Sequence, residues 1–283
     1  MIYFVIFIAA IIGILIYLFY KDYEIKNIKI TDNTNIGNKV IGLLNHKFFS
    51  FSKTESSWNP MSKEWKNNSE KYSLYWKQKA PIIKNILSSQ KIKPDNSFKN
   101  KAVIHFRCSD VPFVKHSQYH LLPKEYFYFI AKELEEKNID EILFLNCSDW
   151  NSHQPPVKDP HKICNNYIKI ISDWIQEKTS IKINKNKICT SVKETYSIML
   201  GSKVLVSTGG SFSFIPGITK GKNYITASNI GEVDQEILRK WKDLHKKVHW
   251  KMWDKFDKIS HKNLDYNTFD YKNYSNIKHV SKN

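Results

Sequence analysis

Arg107 is one of only two arginines, with Arg239, in a 283-residue chain whose lysines and arginines together number 44. It stands in Val103-Ile104-His105-Phe106-Arg107-Cys108-Ser109-Asp110, directly after an apolar run. A guanidinium is a planar fork that holds a phosphate through two hydrogen bonds, which a lysine ammonium cannot copy. In a composition so biased toward lysine, an arginine at this place points to phosphate chemistry. A structural ion pair or a surface arginine would use the same side chain. The second feature is Ser207-Thr208-Gly209-Gly210-Ser211-Phe212-Ser213. Two glycines let the backbone turn tightly and approach a ligand closely. The hydroxyls of Thr208, Ser211 and Ser213 supply donors, and a helix starting here aims its free N–H groups at the same place. A glycine turn alone is only a turn. A strand-end arginine and such a turn in one sheet make a phosphate site the better reading.

Other side chains add less. Glu194 is placed to begin a helix, where it could read the N–H edge of a guanine or simply favour the helix dipole. Asp149 follows an apolar strand and could contact a ribose or a sugar, or cap a turn. His116 and His120 have the i, i+4 spacing of a zinc pair, but no glutamate stands beside His116 and no third ligand is evident. Cys147, His153, His161 and Cys164 fit no standard metal spacing, so no metal is expected. Cys108 follows its arginine, the reverse of the phosphatase order, in which the arginine comes several residues after the cysteine. The chain contains no Asp-x-Asp, which argues against the metal-bridged diphosphate of many sugar transferases.

These residues must be positioned by a regular framework. The segment 102–106 reads as a strand, 123–137 as a helix with Pro123 at its start, and 141–146 as a strand. A loop holding Pro155, Pro156 and Pro160 leads to a helix at 163–178. A short strand is expected at 187–190, a helix at 192–201, a strand at 203–207, a short helix at 212–219 and a last strand at 224–227. Strands alternating with helices imply a parallel sheet covered on both faces. In such sheets ligands lie beyond the carboxyl ends of the strands, where both Arg107 and the glycine turn fall. Upstream, a strand at 24–31, a turn-rich loop at 32–38 and a helix from about 39 open an amino-terminal α/β unit spanning 21–98. It also holds helices near 63–79 and 81–89. The stretch 91–101, with Pro94, Asp95, Asn96 and Ser97, is the best linker candidate. A second α/β domain, the one holding the candidate phosphate site, would then span 99–231, followed by a long helix at 232–259 and a polar tail at 260–283. No internal repeat is present.

Residues 1–20 carry no charged side chain. Twenty helical residues at about 1.5 Å each cover roughly the 30 Å hydrocarbon core, so a transmembrane helix anchoring the chain is expected. Tyr17, Phe19 and Tyr20 followed by Lys21 look like an interfacial anchor. A cleavable signal peptide would need a shorter apolar core and a small-residue cleavage site. Lys21, Lys26 and Lys29 after the span favour a cytosolic body by the positive-inside bias. A lumenal body is the usual arrangement of Golgi enzymes. Four cysteines permit two disulfides and require none. The formal charge of +17 is spread along the chain rather than gathered in a stripe. It therefore reads as drift toward lysine and not as a nucleic-acid surface.

His105-Phe106-Arg107-Cys108-Ser109-Asp110 resembles the His-x-Arg-Arg-x-Asp motif of the α1,2/α1,6- and protein O-fucosyltransferase group. The segment 194–214 is similar to that group's second motif, an acidic residue, a helix, an apolar strand and a serine-rich turn in that order. Asn35-Ile36-Gly37-Asn38 is similar to its Gly-Asn loop, which would place Gly37 and Asn38 at the acceptor or cleft side. The similarity covers about residues 28–228. It implies a GT-B-like fold, two α/β units facing a cleft, and a GDP-sugar donor, GDP-fucose first. It also implies inversion at the anomeric carbon without a metal, a glycan or glycoprotein acceptor, and a single-pass place in the Golgi, the endoplasmic reticulum or another endomembrane. The β-phosphate arginine falls on Arg107 and the motif histidine on His105. The serine of the second motif falls on Ser211 or Ser213, and the base-reading carboxylate near Glu194. The chain departs from the motif at Cys108, where the second arginine stands. It departs again at Val114 and Lys115, where some members are acidic. Asp110 and His116 are then the candidates for the catalytic base.

Overall fold

The computed structural model describes residues 7, 8, 10–15, 69–107, 122, 124–146, 160–184, 186–209 and 211–226. The strand at 24–31, the Gly37-Asn38 loop, the helix at 232–259 and the polar tail lie outside the described residues, as do residues 21–68 of the expected amino-terminal α/β unit. Residues 7, 8 and 10–15 of the expected anchor are helical, and Phe7, Ile12, Ile14 and Leu15 are exposed. Among the described residues no helix is long and apolar enough to cross a membrane.

The body is an α/β unit built on a parallel sheet. Its strands are β1 (Ala102–Phe106), β2 (Glu141–Asn146), β3 (Lys182–Ile183), β4 (Lys187–Ile188), β5 (Val204–Ser207) and β6 (Tyr224–Thr226). They lie in the order β3-β2-β1-β5-β6, and β4 pairs with the carboxyl half of β2 on the same side as β3. All pairings are parallel. β1 and β5 are buried along their whole length, which is why both read as continuous apolar runs rather than alternating ones.

Five helices cover the two faces. They are α1 (Ser69–Ser89), α2 (Lys124–Glu136), α3 (Pro160–Lys178), α4 (Val192–Gly201) and α5 (Ser211–Ile218). On one face Ala102, Ile104 and Phe106 of β1 pack with Phe127 and Ile130 of α2 and Tyr167 and Ile171 of α3. Phe106 is the hub, with ring centroids 5.8 Å from Phe127 and 5.5 Å from Tyr167. On the other face Val103 of β1 and Leu205 of β5 pack with α1, α4 and α5. Successive side chains of a strand point to opposite faces, so a single strand feeds both cores.

Three expectations change here. The helices expected at 63–79 and 81–89 are one helix, α1, with Pro81 inside it. Trp76, Ile83, Ile86 and Leu87 form one buried face across the proline, and that packing outweighs the single backbone bond it removes. α3 begins at Pro160, three residues earlier than read, because proline suits the first turn of a helix. The stretch 91–101 is not a free linker. Asp95 N–H donates to Ser197 O at 2.9 Å, and a Cβ on Gly201 would lie 1.9 Å from Asp95 O, so the chain is seated directly on α4. α1, which falls within the unit expected at 21–98, buries its apolar face on the same sheet as the strands that follow it.

Candidate functional site

The chain leaves β1 toward β2 through α2 on one face. It enters β5 from α4, and leaves it through α5, on the opposite face. β1 and β5 are nonetheless adjacent, with His105 opposite Ser207. The connections run away in opposite directions from this pair, which makes its carboxyl end a topological switch point. That is where open α/β sheets take ligands. Arg107 ends β1 and Thr208 ends β5, so the arginine and the glycine turn meet at the switch point.

Thr208 joins the two strand ends. Its Oγ1 accepts from Arg107 N–H at 2.8 Å, and both its N–H and its Oγ1 donate to His105 O at 3.2 Å. The turn is held from below by Ser207, which is completely buried. Ser207 Oγ accepts from Gly209 N–H at 3.1 Å and lies 2.6 Å from Ser213 Oγ. Gly209 has φ +128°, a region that disfavours any side chain, and among the described residues a Cβ there would meet nothing within 4 Å. The turn thus presents open backbone above a hydroxyl-bonded base. α5 starts at Ser211, so its unbonded N–H groups face the same rim. Pro216 cannot donate to Phe212 O, and Tyr196 OH of α4 donates to that carbonyl instead, at 3.0 Å. This bond ties the start of α5 to α4.

The structure separates the expected site residues by what their side chains do. Ser213 is fully buried, and its hydroxyl is turned inward to Ser207. Only the backbone of Ser211 is described, and Gly210 lies outside the described residues, as do Asp110, His116 and Asp149. Glu194 sits on the far flank, beside β4, about 14 Å from β5 at roughly 4.8 Å per strand step. Its carboxylate meets Lys187 Nζ at 2.6 Å and accepts from Thr190 Oγ1, and its N–H is capped by Ser191 Oγ. It therefore fills the helix-start role that a first-turn carboxylate favours. Two positioning groups escaped the sequence reading. Ser207 reads from sequence as the end of an apolar strand, and its hydroxyl gains meaning only with the turn folded over it. At the end of β2, Asn146 and Asn186 both donate to Asn165 Oδ1, at 2.8 and 2.6 Å, and fix that rim to α3. The one sequence signal was an amide closing an apolar strand.

His105 is 3% exposed, its ring 5.4 Å from that of Phe212, and its Nδ1 is buried without a hydrogen-bond partner. Its carbonyl, not its imidazole, contacts the turn. Burial first, and then the Arg107 guanidinium, lower its pKa to about 3. Above pH 6.5 the histidine is neutral both folded and unfolded and contributes no pH dependence. As pH falls from 6.5 toward 3 the unfolded chain takes up a proton that the folded chain refuses, so stability drops by about 1.4 kcal/mol per pH unit. Urea unfolding at pH 7, 6 and 5 is expected to show this extra slope in the native protein. His105→Gln should remove it, and equal slopes in the two proteins would contradict the assignment.

A cavity of about 430 Å³ lies at the opposite, amino end of the sheet, between Lys84, Ile92, Leu200, Lys220 and Asn223. Lys220 Nζ donates there to Leu200 O and Ser202 O, the last carbonyls of α4, and burial lowers its pKa to about 8. Its charge is engaged with the helix end. The switch point is therefore the better candidate site, although this cavity lies elsewhere. No family model, curated protein or solved structure matches this chain.

Proposed function

We propose that this chain is a membrane-anchored glycosyltransferase of GT-B-like organisation. In this reading it transfers a sugar, fucose first, from a GDP-sugar to a glycan or protein acceptor, with inversion and without a metal. The observation that carries the reading is the bond from Arg107 N–H to Thr208 Oγ1. It sets the arginine beside an open glycine turn at the point where parallel sheets bind nucleotides. Transfer needs a stabilised leaving diphosphate more than it needs covalent chemistry. A guanidinium and the amino end of α5 supply positive charge where the departing GDP becomes more negative. The donor class and the base candidates Asp110 and His116 come from the motif resemblance. Glu194 takes part in base reading only by releasing Lys187 and Thr190.

Thermal unfolding of the full chain in detergent with GDP, UDP, CMP or ADP tests the site. A nucleotide at a hundred times its dissociation constant stabilises by about 2.7 kcal/mol, an upward shift of roughly 5 °C or more at this size. GDP is expected to give the largest shift, and GDP-fucose to give labelled product with a glycan acceptor. Cys108, standing where the motif has its second arginine, favours a second reading, a catalytically inactive glycan- or nucleotide-binding protein of the same fold. A GDP shift without transfer from any GDP-sugar would select it. No shift with any of the four nucleotides would remove both readings.

A further inference from the structure

Cys164 and Cys189 are both disulfide-bonded, and they belong to different cores. Cys164, near the start of α3, is fully buried with Phe106 and Tyr167 on one face of the sheet. Cys189, just after β4, is buried with Leu143 and Leu145 on the other. With the sheet between them, neither is the other's partner. The chain has two more cysteines, Cys108 and Cys147, one beyond the end of β1 and one directly after β2.

Strand parity assigns them. Cys147 continues the series Leu143, Leu145, which faces the core that holds Cys189. The β2–β4 register pairs Leu145 with Lys187 and Asn146 with Ile188, and Cys147 and Cys189 are the next residues of the two segments in sequence. Cys189 N–H donates to Asn146 O at 3.0 Å, which shows the pairing still running at that step. Neighbouring strands lie about 4.8 Å apart, inside the Cα separation of about 4.4–6.8 Å that a disulfide needs. Cys108 continues the series Ile104, Phe106, which faces the core that holds Cys164. α3 begins where the chain returns from the carboxyl end of β2, so Cys164 stands at the level to which β1 runs out.

We infer that Cys108 is bonded to Cys164 and Cys147 to Cys189, one bond for each of the two cores. The first bond begins at the residue after Arg107. Each bond forms by two exchanges. One thiolate attacks a disulfide-containing oxidant and releases its first thiol. The second cysteine then attacks the mixed disulfide and releases the other, so that two electrons and two protons pass to the oxidant. Such bonds persist in oxidising compartments; with residues 1–20 as the proposed anchor, the body would lie on that side of the membrane, against the bias of Lys21, Lys26 and Lys29. The inference stands independently of any sugar transfer.

Trypsin puts the four cysteines in separate peptides, Cys108–Lys115, Asn138–Lys158, Ile163–Lys169 and Ile188–Lys193. The full chain, made in an oxidising secretory host, is acid-quenched, alkylated, digested without reductant and analysed by mass spectrometry. The expected result is Cys108–Lys115 joined to Ile163–Lys169, and Asn138–Lys158 joined to Ile188–Lys193, with each pair separating on reduction. In Cys189→Ser the alkylating label is expected on Cys147 alone, with the first pair intact. Any other pairing, four alkylated cysteines in the native chain, or label on Cys108 in that variant would overturn the assignment.

Discussion

Arg107→Lys is expected to lower sugar transfer by about a hundredfold or more while the protein stays folded. The loss corresponds to about 3 kcal/mol of transition-state stabilisation, the usual effect of removing one preorganised contact to developing charge. Lysine keeps the positive charge but offers a point in place of a fork, so it cannot hold two diphosphate oxygens in fixed directions. The fold should tolerate the change, because the bond to Thr208 Oγ1 is made by the backbone N–H of residue 107, which lysine keeps. The measurement is kcat with a GDP-sugar, alongside a urea unfolding curve. Near-normal turnover would remove Arg107 from the mechanism. An unfolded variant would show that the side chain holds the body together instead.

Trp76→Ala is expected to lower the unfolding free energy by about 3–5 kcal/mol, a large part of what a domain has. Trp76 is fully buried and meets Phe214 edge-on, with ring centroids 4.8 Å apart. It joins α1 to α5, and the residue before Phe214 is Ser213, whose hydroxyl lies on Ser207 under the turn. Nothing else on α1 matches it in volume, so truncation leaves a cavity in the core between α1 and α5. Urea unfolding of the native chain, Trp76→Phe and Trp76→Ala should show a graded loss. A loss below about 1 kcal/mol in the alanine variant would mean that α1 is not part of the cooperative core.

The fold of the described residues is largely legible in the sequence. The helix at 192–201 and the strands at 102–106 and 141–146 fall where hydrophobic runs and their punctuation put them. Here local propensity and burial ask for the same structure. The misreadings are also physical. Pro81 looked like a boundary because a proline costs a helix one bond, but the apolar face of Trp76, Ile83, Ile86 and Leu87 runs through it. β3 was missed because two residues, half exposed at a sheet edge, carry no periodic signal. The stretch 91–101 has the composition of a linker, yet Asp95 is packed on Gly201, a contact between residues far apart in sequence.

The amino-acid order by itself determined the alternation of strands and helices, the tight backbone at Gly209, and the rarity of an arginine at the end of β1. These are properties of single residues and near neighbours, governed by sterics, propensity and charge. Strand order was decided only by the tertiary structure, because it depends on which apolar faces cover which others across the whole body. That order makes β1 and β5 adjacent, brings Arg107 to Thr208, turns Ser213 and His105 inward and draws Glu194 aside to Lys187. A side chain's chemistry is written in its type, but its availability depends on what packs over it.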